Sequence, residues 1–139
     1  MIENVHQHLI NELQQSSKTD TIFIIVTVLF NLIVLAVNSG MATSAVSEKA
    51  NPSDDTILII FILANVVING VALNALFTGK NTRKKLLNGL ITMYQDMKVD
   101  KYYERRLLNN YSKRYWSFTV VIICLALLAV IVPLVIRLF

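Results

Sequence analysis

The sequence predicts an all-α integral membrane protein with three transmembrane helices, an N-terminal amphipathic helix and a basic cytosolic helical hairpin between spans 2 and 3. Three observations lead there. Hydrophobic residues make up 55% of the 139 and charged residues 16%, a poor match to a soluble domain. The apolar residues gather into uncharged runs at 21–37 (extendable to 46), 57–77 and 118–136, each near the roughly 20 residues a helix needs to cross the hydrocarbon. Residues 80–116 then hold ten of the thirteen Lys and Arg against Asp96, Asp100 and Glu104.

Residues 1–18 form the first unit, an amphipathic helix at the cytosolic surface or interface. Ile2, Val5, Leu9, Ile10 and Leu13 recur at helical spacing among polar residues, which suits either the headgroups or other cytosolic helices. His6 and His8, two positions apart, point to different sides of a helix and do not suggest a metal pair. Small residues after the first apolar run resemble a signal cleavage site, but Glu3, Glu12 and Asp20 precede that run with a single Lys18. A signal needs a basic start, so an uncleaved span is expected.

Residues 19–79 hold spans 1 and 2 with a short acidic outer loop at 47–56. In the first span Thr27, Asn31, Asn38 and Ala45 lie within about 40° of one another at 100° per residue, making one face polar and small. Pro52 and its neighbours mark the loop, and Ser53, Asp54 or Asp55 is expected to cap the next helix. Span 2 places Asn65, Asn69 and Ala72 on one face and Gly70 and Asn74 on the opposite one, which suggests contacts on two sides and a central position. Asn31 and Asn69 lie at matching depth, so antiparallel spans should bring them together.

Residues 80–116 are read as the cytosolic hairpin, with Gly79 as a helix stop and Thr82 as the next cap. Leu86, Leu87, Leu90, Ile91, Tyr94 and Met97 make one apolar stripe; Tyr103, Leu107, Tyr111 and Tyr115 make the other. A break at Val99 and Asp100 turns the chain, with Asp100 as cap, and the second helix is expected to run on into span 3 as one rod. Residues 117–139 carry that span. It has no strongly polar residue between Thr119 and Arg137 and is expected to face lipid, with Tyr111, Tyr115 and Trp116 as an interfacial belt and Arg137 reaching the opposite headgroups. Cys124, the single cysteine, is read as an apolar filler.

Charge sets the expected orientation. Ten basic residues in one short loop against Lys49 in the other should hold residues 80–116 and the N-terminus in the cytosol and the C-terminus outside, in a plasma or inner membrane.

Catalytic and metal-binding signatures are missing from the sequence: no Gly-rich phosphate loop, HExxH, CxxC or GxSxG occurs. The expectation is no enzyme, no cofactor and no metal site. Two constellations remain. Thr27, Asn31, Asn38, Asn65, Asn69 and Asn74 serve either as interhelical hydrogen-bond contacts or as a pore lining in a homo-oligomer. Lys80, Arg83, Lys84, Lys85, Lys113 and Arg114 suit anionic lipid headgroups, while Lys98, Lys101, Arg105 and Arg106 at the hairpin tip suit an acidic protein partner. Nucleic acid fits poorly, because the interleaved tyrosines are explained by the hairpin seam. The reading is a homo-oligomeric channel or pore-forming protein, with a non-conducting accessory or scaffold subunit, docking a partner through the basic hairpin, as the alternative.

Overall fold

A computed structural model describes residues 1–47, 51–102 and 106–138, the side chains of 106–108 excepted. Three long helices, α1 (Ile2–Ala45), α2 (Pro52–Asp96) and α3 (Arg106–Leu138), build the bundle, with a 3-10 turn at Asp100–Tyr102 between the last two. All three are long and apolar enough to cross a membrane.

The lengths carry information. At about 1.5 Å per residue, helices of 44 and 45 residues are about twice as long as the hydrocarbon is thick. The amphipathic segment and the first span are therefore one helix, and the break expected at Gly79 and Thr82 does not occur. Gly79 is instead a point of close approach: a Cβ there would collide with the Asp20 carboxylate of α1.

α2 ends later, and without glycine. Lys98 takes the left-handed conformation at φ 56°. The Lys98 N–H donates to the Gln95 carbonyl at 3.0 Å and the Val99 N–H to the Tyr94 carbonyl at 2.9 Å. Those two bonds are the Schellman closure of a helix C-terminus, usually built on Gly. Asp100 heads the 3-10 turn that follows rather than capping an α-helix.

At its start α2 is capped by Asn51, not by the residues after Pro52; the Asp54 carboxylate accepts the Asn51 N–H at 3.3 Å, and Pro52 sits where its missing N–H costs nothing. Arg137 does not stand free at the far end of α3. It forms a two-pronged ion pair with Asp55, at 2.8 and 3.0 Å, and that guanidinium holds the Asp55 carboxyl below its ordinary range.

Partner pairs give the register. As α1 contacts move from Asn31 to His6, their α2 partners move from Asn69 to Tyr94, so the two helices are antiparallel along most of their length. Asp20 meets Tyr115 and Asn38 meets Ala129, which sets α3 parallel to α1. α1 packs extensively on both other helices, while α2 and α3 share a smaller contact. The central helix is thus α1, not the second span. The physical reason is its single buried stripe of Asp20, Thr27, Asn31, Val34, Asn38 and Ala42 at steps of three, four and seven, which serves both neighbours at once. On α2, Gly70 has open space around it and Asn74 is exposed.

Within each helix's most apolar window only 22% is buried. Ile25, Leu29, Ile33, Ile59, Val67 and Leu127 all point outward. A surface this apolar is suited to lipid rather than water.

Candidate functional site

Two polar groupings occupy the bundle, one at mid-span and one at the basic end. The first is a network of amides. Asn31 and Asn69 exchange two hydrogen bonds: Asn31 Nδ2 donates to Asn69 Oδ1 at 2.8 Å, and Asn69 Nδ2 donates to Asn31 Oδ1 at 3.0 Å. Asn31 Nδ2 also reaches the Thr27 carbonyl, and Asn69 Nδ2 the carbonyl and Oδ1 of Asn65, one turn away on their own helices. Asn65 Nδ2 then donates to the Ala126 carbonyl of α3 at 3.2 Å. Two steps higher, Asn38 donates to the Ala129 carbonyl at 3.4 Å.

These four asparagines are buried, three of them at 0 or 1% exposure. They make the interhelical contacts of a single chain. The Thr27 side chain makes no interhelical bond: its hydroxyl donates back to the Phe23 carbonyl in its own helix at 2.6 Å, and only its backbone carbonyl accepts from Asn31. Asn74 lies outside the network on the exposed face of α2. In an apolar setting each interhelical amide bond contributes about 0.6 to 2 kcal/mol, so this network ties together three helices that bury little of their apolar surface against one another.

The second grouping lies where the apolar runs give way to charge. Tyr115 turns inward rather than joining an interfacial belt, and its hydroxyl donates to the Asp20 carboxylate, which is itself packed at Gly79. One point therefore joins α1, α2 and α3. Trp116 remains outward. Arg83, half-buried, lays its guanidinium over the Tyr111 ring at 5.0 Å and the Tyr115 ring at 5.8 Å, distances at which the ring quadrupoles attract the cation.

Beside this junction lies a cavity of about 420 Å³ bounded by all three helices, with Asp20, Arg83, Arg114, Tyr111 and Tyr115 on its polar side. The N-terminal part of α1 forms one wall. It is docked against α2: His6 Nε2 lies 3.0 Å from the Tyr94 hydroxyl, and Leu9 packs over Gly89. His8 is exposed.

The remaining basic residues spread over the surface. Lys84, Lys85, Lys98, Lys101, Lys113 and Arg114 are exposed and Lys80 is half-buried, with Lys101 above the Tyr102 ring at 5.1 Å. Arg105 lies outside the described residues, as does the side chain of Arg106; Tyr103 and the side chain of Leu107, expected in the seam, also fall there.

Sequence reasoning assigned Asp20 no contact, counting it only among the acidic residues that precede the first apolar run. A signal was present. Asp20 stands seven residues before Thr27 on the stripe that continues through Asn31, Asn38 and Ala42, so the buried face of α1 begins with a carboxylate.

Searches against protein-family models, curated proteins and solved structures give no match for this chain. Function therefore rests on the residues themselves.

Proposed function

We propose that this protein is a non-conducting accessory or scaffold subunit of a membrane, inserted by its three apolar helices and docking an acidic protein segment through its basic, cytosolic end. The observation that carries this reading is the use of Asn31, Asn38, Asn65 and Asn69 inside one chain. Amides bonded from helix to helix within one chain support a structural role for these residues over a pore lining. By contrast, Lys98 and Lys101 are exposed at the turn between α2 and α3. At helical rise they stand about 25 Å beyond Lys80 or more, out of reach of the headgroups and available to a partner.

The proposed orientation places residues 80–116 and the N-terminus in the cytosol and the C-terminus outside, because positive charge in short loops is retained on that side. The antiparallel hairpin of the second and third helices then belongs to a longer three-helix cytosolic extension, since α1 runs beside it as far as His6.

A reconstitution experiment tests the function. Purified protein in liposomes should pass no ions, and a fluorescent polyglutamate peptide should bind it with an affinity that falls with salt and with Lys98→Gln and Lys101→Gln. Ion flux together with a symmetric particle enclosing an axial opening would reverse this reading in favour of the homo-oligomeric pore. One observation favours that second reading: Asn74 is an exposed amide on an apolar helix face beside open space at Gly70. Lipid leaves such an amide unpaired, and another subunit or a water-filled axis would cover it.

A further inference from the structure

We propose that the cavity at the basic end is a binding site for a phosphate-bearing anion, held between the guanidiniums of Arg83 and Arg114. Its volume of about 420 Å³ falls within the range of small-molecule sites. Two guanidiniums face one carboxylate on its lining, and that carboxylate, Asp20, is already engaged by the Tyr115 hydroxyl. Among the described residues no carboxylate lies at ion-pair distance from either arginine.

Arg83 is the informative residue. It is half-buried, its guanidinium lies within cation–π range of the Tyr111 and Tyr115 rings, and among the described residues its N–H groups donate to no protein acceptor. A planar fork held in this way matches two phosphate oxygens. An exposed lysine does not provide that geometry.

Position in the bundle identifies two sources of the phosphate. Thr21 and Phe118 on the lining begin the apolar runs of α1 and α3, so the cavity lies at headgroup depth in the proposed orientation. A phospholipid headgroup could enter from the cytosolic leaflet with its chain along Ile24 and Phe118. A free phosphate from the cytosol presents the same chemistry to the same arginines. The site is independent of whether the chain conducts ions or docks a partner.

Thermal unfolding and native mass spectrometry of the full chain in mild detergent test the site. The probes are dioleoyl phosphatidic acid, dioleoyl phosphatidylcholine and inorganic phosphate. Phosphatidic acid is expected to raise Tm and remain bound, and Arg83→Gln or Arg114→Gln to weaken that by at least about tenfold. Ser17→Phe narrows the cavity without changing charge and should weaken it as well, while Lys18→Gln, an exposed residue off the lining, should not. Because Arg83 also packs on two tyrosines, Arg114→Gln and Ser17→Phe, both at exposed positions, decide the matter if Arg83→Gln fails to fold.

An arginine-dependent shift with inorganic phosphate equal to that with phosphatidic acid supports the site and assigns it to the free anion; a shift with the lipid alone assigns it to a headgroup. Equal retention of phosphatidylcholine, retention unchanged in Ser17→Phe, or a loss in Lys18→Gln as large as in Arg114→Gln would overturn the proposal, as would no response to either phosphate.

Discussion

Asn38 of α1 donates its side-chain amide to the Ala129 carbonyl, the backbone acceptor four residues before Pro133 of α3. Proline has no N–H, so Ala129 is the carbonyl that loses its partner within the helix. A side chain from the neighbouring helix supplies a donor, as membrane-spanning helices with internal proline require. Asn38→Leu should therefore cost about 1 to 2 kcal/mol, and Pro133→Ala, which restores the backbone bond, should reduce that cost. Unfolding in mild detergent measures both, and an unchanged cost in the Pro133→Ala background would show that the two residues are uncoupled.

Reciprocal bonding between Asn31 and Asn69 gives the clearest double-mutant cycle. Either Asn→Leu change alone leaves an amide without its main partner and should cost about 1 to 2 kcal/mol. The double mutant should lose less than the sum. Strict additivity would mean that the pair contributes nothing beyond its separate packing.

Gly79→Ala is expected to act against helix propensity. Alanine favours a helix by about 1 kcal/mol over glycine, yet here the new methyl meets the Asp20 carboxylate. A net loss of about 1 to 3 kcal/mol should follow. In an Asp20→Ala background the obstruction is gone and the same change should become neutral or stabilising. If Gly79→Ala stabilises the unaltered protein, the close approach of α1 and α2 is not where it is placed.

Lys98→Gly should stabilise the end of α2. The left-handed conformation of Lys98 costs a residue with a Cβ about 1 kcal/mol, which glycine avoids. Thermal unfolding of this variant should shift upward, and a downward shift would argue that the lysine side chain is needed at the turn.

Topology can be read by labelling. In a Cys124→Ala background, Ser53→Cys should react with a membrane-impermeant maleimide from outside intact cells, and a reporter fused after the last residue should also behave as external. Labelling of Ser53→Cys only after the membrane is opened would invert the proposed orientation.

The sequence by itself determined the three apolar helices, the basic segment between the second and third, and the polar stripe on the first. These follow from local chemistry: run length against membrane thickness, charge against apolar content, and 100° of turn per residue. Even the meeting of Asn31 with Asn69 was legible, because two antiparallel helices of matched length put equal depths side by side. Only the tertiary structure decided what glycine and proline mean. Gly79 resembles a helix stop until Asp20 is seen against it, while the real stop uses Lys98, whose conformation no propensity suggests. The same holds for Asp20 and Tyr115. Nothing in either segment says that residues 95 positions apart share a hydrogen bond, because that contact depends on how three helices are rotated about their axes, and rotation is set by packing among them all.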